Sequence, residues 1–123
     1  MSYLVLIIQL LFGFQNPKTA VITNDQLQKM IDGGGITILD VRTPEEWEKG
    51  YIKDAVLIDI YDPDFLSKAT ALDKEKPLVI YCAAGGRSAS ATTKLLKEGF
   101  LEIYDLGGGF RGWIAEKRPS VKE

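Results

Sequence analysis

This chain has a single cysteine, Cys82, followed by Ala83-Ala84-Gly85-Gly86-Arg87-Ser88, and it has no histidine. The apolar run Pro77-Leu78-Val79-Ile80-Tyr81 reads as a buried strand leading into the cysteine, and Ser88 to Glu98 reads as a helix ended by Gly99. A tight loop of small residues between strand and helix can turn successive backbone N–H groups toward one point, at the positive end of the helix. A thiol held there loses its proton more easily, and nucleophilicity belongs to the thiolate. Arg87 adds a fixed positive charge and a fork of donors. A buried structural cysteine is the bland alternative. Strand, glycines, arginine and helix together favour a nucleophile. With no imidazole in the chain, its activation must come from backbone dipoles and arginine.

Spacing then narrows the chemistry. Cysteine-type phosphatases use Cys-x5-Arg, a loop wide enough for a tetrahedral phosphate; Cys82 and Arg87 make the shorter Cys-x4-Arg, which suits a single bound sulfur atom. This loop resembles the active loop of the rhodanese (thiosulfate sulfurtransferase) family. Leu39-Asp40-Val41-Arg42-Thr43-Pro44-Glu45-Glu46-Trp47 and then Gly50-Tyr51-Ile52-Lys53-Asp54-Ala55 are similar to that family's Asp-Val-Arg and Gly-His-Ile-x-Gly-Ala stretches. Leu106-Gly107-Gly108-Gly109-Phe110-Arg111-Gly112-Trp113 is similar to its Leu-x-Gly-Gly-x-x-x-Trp motif. The three motifs stand in the family's order across roughly residues 22 to 116. Tyr51 stands where the family commonly has His, and Asp54 where it often has Gly. Many members carry a basic or bulky polar residue beside the cysteine to help hold an anionic donor, whereas this chain has Ala83 and Ala84.

The resemblance implies a sulfurtransferase in which Cys82 takes the outer sulfur of a donor such as thiosulfate, becomes a persulfide and passes the sulfur to a thiophilic acceptor. Two half-reactions with ping-pong kinetics follow. Ala83, Ala84, Gly85, Gly86 and Ser88 would supply backbone donors to the terminal sulfur, and Arg87 would brace the loop or add to its field. Asp40 and Arg42, on an element the resemblance places beside the active site, are expected to support it. No metal or organic cofactor is required. A non-enzymatic persulfide carrier serving a partner protein, and a small phosphatase or arsenate reductase on the same scaffold, are the rival readings.

Those residues need a frame, and the pattern alternates strand and helix. Val21-Ile22 reads as a short strand, Thr23 to Gln26 as a capping box opening a helix that Gly33-Gly34-Gly35 stops, and Ile36 to Val41 as a buried strand. Thr43-Pro44-Glu45-Glu46 is a second capping box, and Gly50 closes its short helix. Ala55 to Ile60 reads as a strand, Asp62-Pro63 opens a helix toward Ala71, and Lys74-Glu75-Lys76 reads as a solvated turn. Leu101 to Tyr104 reads as the last strand, and Gly107 to Gly109, read as a tight-packing turn, leads to a final helix carrying Trp113. Trp47 and Trp113 read as core anchors, and Arg111 as a residue able to steer anions. The expectation is an α/β domain with a mainly parallel central sheet flanked by helices on both faces, rhodanese-like. Ligands of such sheets bind at the carboxyl ends of the strands, where both Cys82 and Arg42 fall.

Composition sets outer bounds. A chain of 123 residues with 46% hydrophobic content supports one core, and one cysteine cannot form an intrachain disulfide. A net charge of −2 argues against a nucleic-acid partner. Zero histidines exclude a Cys–His protease, a Ser–His–Asp hydrolase and a His-containing zinc site within the chain. Residues 1 to 17 carry no charged side chain, and Leu4 to Phe14 is apolar apart from Gln9 and Gly13. That stretch is short for a bilayer span, and neither a basic n-region nor an Ala-x-Ala site accompanies it. The expectation is an N-terminal segment, residues 1–17, making membrane contact through residues 3–14, followed by a single domain over 18–123. The location that follows is the cell envelope or periplasm; packed on the domain instead, the segment would belong to a cytoplasmic protein.

Overall fold

The computed structural model describes residues 16–122. Within them the chain forms β1 (Lys18–Ile22), α1 (Asn24–Gly33), β2 (Thr37–Asp40), α2 (Pro44–Glu48), β3 (Val56–Leu57), α3 (Phe65–Ala69), β4 (Leu78–Tyr81), α4 (Gly86–Leu95), β5 (Glu102–Leu106) and α5 (Gly109–Ala115). The five strands make one sheet in the order β1-β5-β4-β2-β3, and every pairing in it is parallel. An isolated antiparallel bridge joins Tyr51 to Val121 outside the sheet.

Side-chain alternation along the central strands builds two cores. On one face Leu78, Ile80 and Cys82 of the β4 run join Leu39, Ile103 and, from the covering helices, Phe65, Ala69, Ala91 and Leu95. On the other, Val79 and Tyr81 join Ile38, Leu106, Leu27 of α1 and Trp113 of α5. Helices therefore cover both faces, as parallel strands require. The layered α/β architecture read from the sequence is the one observed.

Individual boundaries differ for physical reasons. β1 extends back to Lys18 because its backbone pairs with β5 although four of its five side chains are exposed. An edge strand of this kind needs no apolar alternation. β3 is only two residues long; beyond it the Ile58 and Ile60 N–H groups still reach the Asp40 and Val41 carbonyls, at 3.0 and 3.2 Å. α3 is confined to Phe65–Ala69, with hydrogen-bonded turns replacing helix on either side. α4 begins two residues earlier than Ser88 and ends at Leu95, and turns carry the chain on to Gly99. β5 runs from Glu102 to Leu106, two residues further than Tyr104. Of the two tryptophans, Trp113 is buried as expected, whereas Trp47 is half-buried and lines an open cleft with Pro44, Leu57 and Tyr61. The apolar stretch from Leu4 to Phe14 lies outside the described residues, of which Asn16 and Pro17 lead directly into β1.

Candidate active site

Cys82 leaves the end of β4 at the carboxyl rim of the sheet, and its loop closes at Gly85, the residue that caps α4. Gly85 has φ 120°, in the left-handed region, and a Cβ there would lie 3.3 Å from the Gly107 carbonyl oxygen. A side chain at that position is therefore both strained and crowded. The turn aims the Gly85 N–H at the Cys82 Sγ, 3.0 Å away. The thiol also meets the Ser88 Oγ at 3.5 Å, one helical turn into α4. Burial pushes the Cys82 thiol up, but the Ser88 hydroxyl and the N–H groups of Ser88, Gly85 and Ala84 outweigh it and leave the pKa below its ordinary value. This is the donor arrangement that lowers the cost of negative charge on sulfur.

A second turn holds the loop from outside. The Phe110 N–H donates to the Cys82 carbonyl at 2.7 Å and the Arg111 N–H to that of Ala83 at 3.0 Å. Gly109, at φ 62°, permits this approach, since a Cβ on it would fall 2.5 Å from the Ala83 oxygen. The expected role of Gly107 to Gly109 as tight packing beside the rim is thus what the backbone does. Arg111 contributes its main chain to the loop, and its side chain is exposed.

Arg87 lies on the outer side of α4's first turn, and its guanidinium binds both carboxylate oxygens of Glu46, at 2.6 and 2.9 Å. Glu46 in turn accepts from the Thr43 N–H and hydroxyl at the start of α2. The hydrogen bond to Arg87 holds the Glu46 carboxyl down at about 2, and the same bond raises Arg87. Arg87 is thus committed to bracing α4 against α2, while Sγ accepts from the main-chain N–H of Gly85 and lies against the Ser88 hydroxyl.

Asp40 and Arg42 make a buried pair at 2.8 Å. Arg42 also donates to the Gly50 carbonyl at 2.7 Å, and Trp47 Nε1 donates to Asp40 Oδ1 at 3.2 Å. The Arg42 guanidinium lies 4.2 Å from the centre of the Phe110 ring, the residue whose N–H holds the Cys82 carbonyl. The pair reaches the loop through this stacking.

Two further polar residues belong to the site, Glu46 and Asp105. Glu46 was legible only as a capping-box residue. Asp105 accepts from the Ser88 hydroxyl at 2.7 Å and is buried. Its signal was a carboxylate in step with Ile103 on the inner face of an apolar strand. Among the described residues no group of three or more His, Cys, Asp or Glu side chains is arranged to hold a metal ion.

The chain is similar to known proteins. The chain is 37% identical over 90 residues to a thiosulfate sulfurtransferase GlpE of Pseudomonas syringae, covering 72% of this chain and 81% of that protein. It is likewise 37% identical over 90 residues to the mitochondrial protein HIGH ARSENIC CONTENT 1 of Arabidopsis thaliana, covering 65% of this chain and only 53% of that longer relative. Among solved structures, a rhodanese-related protein from Thermoplasma volcanium superposes with a TM-score of 0.75 at 35% identity, covering 84% of this chain and 98% of that one. A rhodanese-like domain protein from Staphylococcus aureus gives 0.67 at 32% identity, covering 78% and 90%. The family model for the rhodanese-like domain matches residues 23–116, a span that holds the cysteine loop and both turns that brace it. By sequence and fold, this chain belongs to the rhodanese-like domain family.

Proposed function

We propose that the domain is a sulfurtransferase that moves sulfane sulfur from a small-molecule donor such as thiosulfate to a thiophilic acceptor through a persulfide on Cys82. The observation that carries this reading is the Gly85 N–H, 3.0 Å from the Cys82 Sγ, at the closure of a four-residue loop. The Cys82 thiolate attacks the outer sulfur of thiosulfate. A new S–S bond forms at Cys82 as the donor's S–S bond breaks, and sulfite leaves with the electron pair. The terminal persulfide sulfur keeps the negative charge, facing N–H donors of the stretch from Ala83 to Ser88. Cyanide, standing for the acceptor, then attacks that sulfur and leaves as thiocyanate, regenerating the thiolate. Cys82 is buried, so donor and thiol meet inside the loop and out of bulk water. Arg87 braces the loop through Glu46, and Asp40 with Arg42 supports it through Phe110. Purified protein should gain the mass of one sulfur atom on thiosulfate and lose it to cyanide, and Cys82→Ser should do neither. Cyanolysis undiminished in Cys82→Ser would overturn the reading.

A second reading is favoured by the loop's lack of a free cation: Ala83 and Ala84 are uncharged, and Arg87 is engaged by Glu46. Under it Cys82 carries persulfide sulfur received from, or delivered to, a partner protein. Persulfide loading without turnover until a partner protein is added would select it; turnover with thiosulfate and cyanide alone would select the enzyme. We also propose that residues 1–17 act at a membrane, placing the 18–123 domain at the cell envelope.

A further inference from the structure

The Ser88 hydroxyl has one proton and three acceptors around it: Asp105 Oδ1 at 2.7 Å, the Gly85 carbonyl at 3.1 Å and Cys82 Sγ at 3.5 Å. A carboxylate at the shortest distance takes that proton, because a charged acceptor makes the stronger bond. Ser88 Oγ then presents a lone pair to the Cys82 thiol, whose S–H donates to it. The fold sets this chain of three groups. Ile80 of β4 pairs in register with Asp105 of β5, so Asp105 and Cys82 lie on the same face of adjacent parallel strands. The first turn of α4 covers that face and inserts Ser88, fully buried, between them.

We propose that Asp105, acting through Ser88, is the proton acceptor for Cys82, so that one proton and one negative charge are shared along the chain Asp105–Ser88–Cys82. As the thiol ionises, its S–H bond breaks and an O–H bond forms on Ser88; the original Ser88 proton moves to Asp105 Oδ1. The net charge is unchanged and no electrons are transferred to another group. Ser88 then donates to the anionic sulfur, and the neutral Asp105 carboxyl donates to Ser88. When sulfur leaves the persulfide, the same steps in reverse return the proton. This inference rests on Cys82 being the nucleophile. It makes Asp105 a positioning residue, since its action passes through the hydroxyl.

The surroundings favour a proton on Asp105. Burial pushes its carboxyl up, against the opposing effect of the Ser88 hydrogen bond. From α4, Arg87 senses the Cys82 charge, but its guanidinium is held by Glu46 of α2 and neighboured by Tyr61. Facing Asp105 in register, β1 brings Val21 and β4 brings Ile80, neither of them titratable. The α5 turn brings N–H groups to the loop carbonyls, with the Arg111 side chain exposed.

The rate of Cys82 alkylation by iodoacetamide, followed against pH, tests this without any sulfur donor. Two groups sharing a proton titrate as a pair. The wild-type rate should climb, pause across a shoulder where it changes by less than about threefold per pH unit, and climb again; a lone ionisation rises about tenfold per unit until it levels. Asp105→Asn keeps an acceptor of the same shape for Ser88 but cannot take a proton, so its profile should be a single step. Ser88→Ala should narrow the shoulder. A single-step wild-type profile overturns the proposal with no variant needed, as does a shoulder that survives intact in Asp105→Asn or Ser88→Ala. A shoulder in a protein that takes no sulfur from thiosulfate would sink the sulfurtransferase reading and leave the shared proton standing. Sulfur loading with a single-step profile would do the reverse.

Discussion

The Cys82 thiol is surrounded by main-chain and hydroxyl groups, with little side-chain charge directed at it. The groups that favour its thiolate are N–H donors of Ala84, Gly85 and Ser88 and the Ser88 hydroxyl, while the one nearby guanidinium is engaged by Glu46. The thiol should therefore titrate below the free value of about 8.5 even when Arg87 is replaced by a residue that preserves the loop. Glu46 carries its own pH signature. Its carboxyl is lowered from the ordinary 4.5 to about 2 by the bond from Arg87. A carboxyl lowered on folding adds stability above its unfolded value and loses it as the pH falls through its folded value. The Arg87–Glu46 brace should thus be intact at neutral pH, weaken below pH 4.5 and be lost as the pH falls through about 2. Glu46→Gln should cost about 1 kcal/mol at pH 7 and nothing at the acid end of that window, as measured by urea unfolding at several pH values. An equal cost at every pH would mean that Glu46 acts through packing. At Asp54 the backbone adopts φ 68°, a left-handed conformation that glycine takes without strain, in keeping with the glycine expected at this position from the family resemblance. Asp54→Gly should raise the thermal midpoint or leave it unchanged, the relief of roughly 1 kcal/mol being offset in part by glycine's freedom when unfolded.

At the scale of elements, the site is a junction of three pieces: the end of β4, the first turn of α4 and the glycine turn before α5. The third has the least room. Alanine at Gly109 would place a methyl 2.5 Å from the Ala83 oxygen and 2.8 Å from that of Cys82, at a left-handed φ. Gly109→Ala should destabilise the fold by about 2–4 kcal/mol and remove the Phe110 and Arg111 bonds to the loop. Its sulfur transfer should fall further than that of a core variant of equal stability, and equal loss in both would separate the turn from catalysis. Loop length is expected to set the reaction class at the same scale. With four residues between Cys82 and Arg87, aryl phosphate hydrolysis should be negligible, and one glycine inserted after Gly85 should pull the Gly85 donor off Sγ and weaken sulfur transfer. Robust Cys82-dependent phosphatase activity in the wild type would contradict this.

For the whole molecule, the sheet order β1-β5-β4-β2-β3 places the strand bearing Cys82 in the centre, flanked by the strands that bear Asp105 and Asp40. A central parallel strand buried on both faces is a rigid platform for a loop whose donors must hold their positions. The edge strand β1 is paired with β5 from Lys18 onward, along all five of its residues. Deleting residues 1 to 17 should therefore leave the thermal midpoint and sulfur transfer unchanged while abolishing any membrane or envelope localisation. A loss of several degrees with localisation unaltered would assign the segment to the core.

Periodicity and punctuation in the sequence determine the alternating elements, because buried parallel strands must be continuously apolar and because the Thr23 and Thr43 capping residues satisfy N–H groups only at helix starts. They also determine the cysteine loop, since a nucleophile, small residues and an arginine at fixed spacing are adjacent in the chain. Long-range pairings are a different matter. Arg87 lies 41 residues from Glu46, and Ser88 lies 17 from Asp105. Local spacing cannot say whether a charge near the loop is free or already matched. Only the tertiary structure decided that Arg87 braces instead of facing the thiol, and that Asp105 stands behind Ser88. Both outcomes depend on which strands become neighbours and in what register, and the edge strand β1, with its exposed side chains, shows how backbone pairing proceeds where the side-chain pattern is silent.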